Sequence, residues 1–144
     1  MAMTEDKARE CFMGGIDCGQ TVFGDTAERL GFDKETAWKI AACFGGGMFS
    51  GERCGCVTGA MMAIGLKYGH CEPGDEETKA EMMRVLKEFT EAFEDENGSL
   101  ICRDLIKYDV SDPEQLAAAF ASGIMLDLCP KLAVSACEIL EDLI

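Results

Sequence analysis

Nowhere along these 144 residues do lysines and arginines gather; 13 basic side chains are scattered among 27 acidic ones, for a formal charge of -14 and a pI near 4.3. A chain without a basic stripe lacks the electrostatic footprint that phosphate backbones and anionic lipid surfaces require, so nucleic acid and membrane surfaces are not expected partners. Long apolar runs are missing too. The strongest, Val57 to Leu66, falls well short of the roughly 20 residues of a bilayer span, so no membrane insertion is expected. Histidine occurs once, at His70, which excludes a His-rich catalytic site; with Cys71 beside it, it reads either as a metal ligand or as simply exposed. Prolines number three, and no segment alternates apolar and polar residues with hairpin turns at its ends, so sheet architectures find no support. The N-terminal residues carry neither a basic region nor an apolar core of the secretory kind, and the expected location is the cytoplasm.

What the chain does hold is cysteine. There are nine, an odd number, and in a reducing compartment thiols in such quantity point to redox or metal chemistry rather than a disulfide framework. Apolar residues at 48% suffice for one core, and the expected architecture is all-α, a compact single-domain multi-helix bundle over residues 1–144 with a glycine-rich loop before a central helix. The clearest helix runs from about Asp75 to Glu96, with Met82, Leu86, Phe89 and Phe93 as its inner stripe and Asn97-Gly98 as its stop. Asp33 opens another, to about Phe44, with Ala37, Ile40, Ala41 and Phe44 facing inward.

The remaining helix starts coincide with cysteines. Asp17 and Gln20 form an Asp variant of the capping box, which places Cys18 in a first turn. Gly45, Gly46, Gly47 and Gly51 lead into a helix expected from about Glu52 to Tyr68, with Cys54 and Cys56 in its first turns. Ser99 as a cap sets Cys102 near the N3 position. Asp112-Pro113 opens a helix closed by Gly123, and Pro130, suited to a first helical position, puts Cys129 at or beside the cap of the last one. Unpaired amides and the positive end of the helix dipole stabilise thiolates at such places, so Cys18, Cys54, Cys102 and Cys129 are expected to be activated. Cys11, Cys43 and Cys137 sit inside amphipathic patterns and read as small buried hydrophobes. Gly55 and Gly59, with Ala60 and Ala63, form a small-residue face open either to a neighbouring backbone or to a flat cofactor. The glycine loop lacks the lysine and hydroxyl residue of a P-loop and the G-x-G-x-x-G spacing, so it reads as a conformationally unusual loop rather than a nucleotide cradle. No C-x-x-C occurs, and any four-thiolate site has to be assembled from distant segments.

The run Gly14-Gly15-Ile16-Asp17-Cys18, then Phe44-Gly45-Gly46-Gly47-Met48, Cys54-Gly55-Cys56-Val57-Thr58-Gly59-Ala60 and Cys102-Arg103-Asp104-Leu105 resembles the C-GCAxxG-C-C family of redox-active proteins, over roughly residues 11 to 140. A similar domain occurs in split-Soret cytochromes. The resemblance implies a small helical protein with four characteristic cysteines, linked to oxidoreductase or transporter components. It matches those cysteines to Cys18, Cys54, Cys102 and Cys129, and the glycine motif to Gly55 and Gly59. Cys56 stands where the family has alanine, which leaves Cys54 and Cys56 as alternatives for the functional thiol. Without a C-x-x-C-H segment, covalent haem is not carried over. Two functions follow as expectations. One is thiol/disulfide exchange, or electron transfer through a Cys-bound metal ion or iron-sulfur cluster, at Cys18, Cys54, Cys102 and Cys129, with Gly55, Gly59 and Cys56 lining a cofactor and a redox protein as partner. The other is a non-enzymatic accessory protein, with structural zinc or no metal, that docks as a homodimer.

Overall fold

In a computed structural model, which describes residues 2–144, the chain folds into eight α-helices, with no strand among the described residues. These are α1 (Glu5–Met13), α2 (Cys18–Arg29), α3 (Lys34–Ala41), α4 (Gly55–Tyr68), α5 (Glu76–Asn97), α6 (Cys102–Ile106), α7 (Pro113–Ser122) and α8 (Ile124–Leu143). The all-α expectation holds.

Helix α4 is apolar on all sides and therefore lies at the centre, with Cys56, Val57, Ala60, Ala63 and Ile64 buried. Helices α2, α5 and α8 surround it, α3 covers α2, and α1 lies along α8. The approach of α2 to α4 depends on glycine. A Cβ on Gly59 would stand 2.6 Å from the Gly19 carbonyl oxygen, so the two backbones touch where side chains would hold them apart. Val85, Phe89 and Phe93 of α5 and Leu132, Ala133, Ala136 and Leu140 of α8 complete the core. Polar contacts tie the ends of the bundle. Asn97 Nδ2 donates to Ser135 Oγ at 2.9 Å, and the Tyr68 hydroxyl donates to the Leu143 carbonyl at 2.7 Å.

Several boundaries differ from the sequence reading. Helix α3 stops at Ala41, so Phe44 lies beyond it, and Ile40 is half exposed rather than inward. Helix α4 begins at Gly55, with Cys54 as its cap residue rather than a member of its first turn. Cys102 is the first residue of α6, a single turn, not its third. The largest difference concerns Pro130. It does not open the last helix but sits inside α8, which starts at Ile124 directly after Gly123, so Cys129 lies in the second turn and not at a cap. Proline lacks the amide that would bond the Leu126 carbonyl, and Arg9 of α1 supplies the missing donor, its Nε lying 3.2 Å from that oxygen.

Candidate functional site

Cys18, Cys54, Cys56, Cys102 and Cys129 come from four separate segments and line one cavity of about 420 Å³. Its other walls are mainly apolar, with Phe12, Leu105, Val110 and Leu132 among them.

Each thiol is held there by a local device. Cys18 is the first residue of α2, and the entry is fixed by Gln20, whose Oε1 accepts from the Asp17 amide at 2.9 Å. Cys54 and Cys102, 48 positions apart in the numbering, are drawn together by a short antiparallel bridge between Arg53 and Ile101. The Cys54 amide donates to the Leu100 carbonyl at 2.8 Å and the Cys102 amide to the Glu52 carbonyl at 2.6 Å. Arg103 secures the same junction, donating to the Gly51 carbonyl at 3.0 Å and pairing with Glu52. Cys129 enters from α8, one residue before the proline.

The glycine loop has a definite role in this arrangement. Gly46, Gly47, Met48 and Phe49 have consecutive φ values of 58°, 64°, 61° and 53°, a left-handed turn that is unfavourable for the two residues with side chains. It closes tightly on Glu52, since a Cβ on Gly47 would collide with the Glu52 amide. Gly45 lies against Asp17, and the Gly46 amide donates a hydrogen bond to the Cys18 sulfur. The expectation of an unusual loop beside the thiols is met, and its physical form is an amide aimed at Cys18.

The electrostatics separate the thiols from one another. Cys18 is lowered to about 7, chiefly because the Cys56 thiol hydrogen-bonds to its sulfur, against the opposing effect of burial; the Gly46 and Gly19 amides help, and Asp17 opposes. Cys56 is pushed well above the usual thiol range, because it hydrogen-bonds to Cys18 and Cys54 and is fully buried. Burial pushes Cys102 up to about 12, and pushes Cys129 up as well, with the neighbouring sulfurs adding to both. The expectation that all four cysteines at helix starts would be activated is therefore corrected. The partial charge at a helix start does not offset desolvation at Cys102, and Cys129 stands at no helix start.

Gly55 lies directly beneath Cys18 and lines the cavity; a Cβ there would collide with Cys18 Sγ and come within 2.9 Å of the Phe44 carbonyl oxygen. Gly59 is outside the lining, and its position is accounted for by the contact with Gly19. Of the cysteines expected to be buried, Cys137 is, Cys11 is partly so, and Cys43 is exposed because α3 ends before it. Cys71 is exposed, His70 is exposed beside it, and neither belongs to the cavity walls.

A metal site demands more than a shared cavity. Among the described residues no three Cys, His, Asp or Glu side chains are arranged to hold an ion, so the thiols as placed do not form a ligand set. Sequence reasoning did not single out Gly46 as a donor or the apolar walls at Leu105, Val110 and Leu126. The three successive glycines were the available signal for the first, while the walls come from α6 to α8 and carry no local pattern.

No curated protein and no solved structure shows significant similarity to the chain. A family model described as "Putative redox-active protein (C_GCAxxG_C_C)" matches residues 16–143, a span holding all five cavity cysteines and the left-handed glycine turn, and the chain belongs to that family.

Proposed function

We propose that the protein is a dithiol oxidoreductase in which Cys18 attacks and Cys56 resolves. The observation that carries this reading is that Cys18 and Cys56 line the same cavity, where the Cys56 thiol is the chief cause of the lowered Cys18 pKa. The Cys18 thiolate attacks one sulfur of a partner disulfide, forming a mixed disulfide and releasing one partner sulfur as thiolate. The proton of Cys56 passes to that leaving thiolate. Loss of the negative charge on Cys18 removes a cause of the high pKa at Cys56, so Cys56 becomes a competent nucleophile only at this point. Its sulfur then displaces the second partner sulfur from Cys18. The protein ends with a Cys18–Cys56 disulfide; two electrons and the Cys56 proton have passed to the partner, and its second thiolate takes a proton from water to complete the two thiols.

Treating the reduced protein with a small disulfide and mapping the peptides tests this. The expected product is a Cys18–Cys56 link, Cys56→Ala trapping the adduct on Cys18 and Cys18→Ser abolishing both. Adducts confined to the exposed Cys43 and Cys71, with no such link, would overturn it. Alkylation of Cys18 against pH supplies a second check. The midpoint is expected near 7 and moves up in Cys56→Ala.

A second reading, Cys18, Cys54, Cys102 and Cys129 as ligands of a metal or cluster, draws support from their common cavity. It requires the side chains to rearrange from their present positions. Anaerobic purification with metal analysis and an absorption spectrum tests it. Iron with sulfur-to-metal charge-transfer bands, and protection of these four thiols from alkylation, is the outcome that would favour it.

A further inference from the structure

The cavity walls carry information about what the thiols meet. Apart from the thiols, the only ionisable side chain in the lining is Asp17; no lysine, arginine or histidine reaches it among the described residues. Asp17 is partly buried, and burial raises its pKa, as expected for a carboxyl offered no cationic partner. Arg9, which touches the mouth through the Leu126 carbonyl, is also paired with Asp6 and Glu5. Arg103 is taken up by Glu52 and the Gly51 carbonyl. An anionic ligand would therefore enter a space with no compensating charge, in a molecule of net charge -14.

The mouth repeats the pattern. Met13, Phe120 and Leu126 line the cavity and yet are 72%, 64% and 41% exposed. They form an apolar margin continuous with the inner walls at Phe12 and Leu105. A volume of about 420 Å³ lies within the usual range for small-molecule sites, roughly 300–1,000 Å³.

Resting on the dithiol reading above, we propose that the substrate is a small, neutral thiol or disulfide borne on an aliphatic chain, the sulfurs meeting Cys18 and the chain leaving over Met13, Phe120 and Leu126. Anionic low-molecular-weight thiols are rejected by the absence of any cation in the walls and by the apolar margin.

The matched pair dihydrolipoamide and dihydrolipoate tests this, because the two share dithiol and chain and differ by one carboxylate. The protein is first oxidised to its Cys18–Cys56 disulfide. A thiolate of the probe attacks the Cys18 sulfur, Cys56 leaves and takes up a proton, and the second probe sulfur displaces Cys18 to close a cyclic disulfide. Two electrons pass from probe to protein. Rates are compared in about 1 M salt, where the Debye length is about 3 Å, so that the net charge of the molecule is screened. The expected result is a rate at least ~10-fold higher for dihydrolipoamide, equivalent to about 1.4 kcal/mol. Leu126→Lys, at an exposed position, should narrow that ratio by speeding dihydrolipoate. Equal rates in high salt, or a ratio that Leu126→Lys leaves unchanged, would overturn the substrate class while the dithiol reading stands. Failure of the Cys18–Cys56 disulfide to form at all would remove the dithiol reading, and this proposal with it.

Discussion

Cys18 and Gly55 show how closely the site is drawn at the level of single residues. The Cys18 sulfur occupies the space that a side chain at position 55 would need, and the Gly19 amide and Phe44 carbonyl close the same space. Gly55→Ala is therefore expected to cost about 1–3 kcal/mol through overpacking, read as a lower urea midpoint. At Gly65, further along the same helix, no neighbouring atom lies within 4 Å of the place a methyl group would take. Gly65→Ala should leave stability unchanged or raise it by up to about 1 kcal/mol through helix propensity. Equal losses at the two positions would show that the cost belongs to α4 as a whole and not to the Cys18 contact. The hydrogen bonds around the same sulfur explain why Cys18 alone among the shifted cavity cysteines is lowered: it receives them from Cys56, Gly46 and Gly19, whereas burial dominates at Cys102 and Cys129.

Among the elements, α8 departs most from its sequence pattern. An internal proline ordinarily costs about 3 kcal/mol or more, in part because a carbonyl loses its partner. Here the Leu126 carbonyl receives Arg9 Nε from α1, so α1 and α8 are joined next to Cys129 and the cavity mouth. Arg9→Ala should cost about 1 kcal/mol in the native background. In Pro130→Ala the new amide reaches the Leu126 carbonyl within the helix, and Arg9→Ala should then cost less. A double-mutant cycle by urea denaturation measures the difference, with a coupling of about 0.5–1 kcal/mol expected. Strict additivity would mean that Arg9 does not serve that carbonyl. The left-handed turn at Gly46 to Phe49 is the comparable departure on the other side of the site, where an unfavourable backbone sets the Gly46 amide against Cys18.

Across the whole molecule, buried thiols make stability depend on pH in a direction that can be worked out. Cys56, Cys102, Cys129 and Cys137 have pKa values above the usual 9.0, burial being a cause at each. Above pH 9 the unfolded chain loses these protons while the folded chain retains them. Stability contributed by each group is thus lost as pH rises from about 9 towards the raised values, about 12 for Cys102 and Cys137. Cys18 has the opposite sign. Its folded value near 7 adds stability that is fully present above 9 and disappears as pH falls to about 7. Above pH 9 the Cys18 contribution is constant and the four raised groups set the slope, so the urea midpoint should decline there, and Cys137→Ala, remote from the cavity, should flatten the decline by up to about 1.4 kcal/mol per pH unit. An unchanged slope in that variant would count against a neutral buried Cys137. At this scale too, no single helix is long and apolar enough to cross a membrane among the described residues. The pair α7 and α8 passes that test of length and composition only together, across an 82° bend, and α8 packs its apolar face on α1, α2, α4 and α5.

Local chemistry in the sequence was enough to determine the helical class, the long α5 with its stop at Gly98, the entry to α2 at Asp17 and Gln20, and the close approach expected of glycine in α4. Each depends on residues within a few positions of one another, where caps, periodicity and the missing Cβ act directly. Pro130 misled because a proline suits a helix start and its tolerance inside α8 depends on Arg9, more than a hundred residues away. The family resemblance named Cys18, Cys54, Cys102 and Cys129 without showing where they lie. Their meeting in one cavity was decided by tertiary structure: the bridge of Arg53 to Ile101, the packing of α2 on α4, and the passage of α8 beside both. So was the difference between them, because the pKa of a thiol follows its burial and its hydrogen-bond donors, and neither exists until the segments have come together.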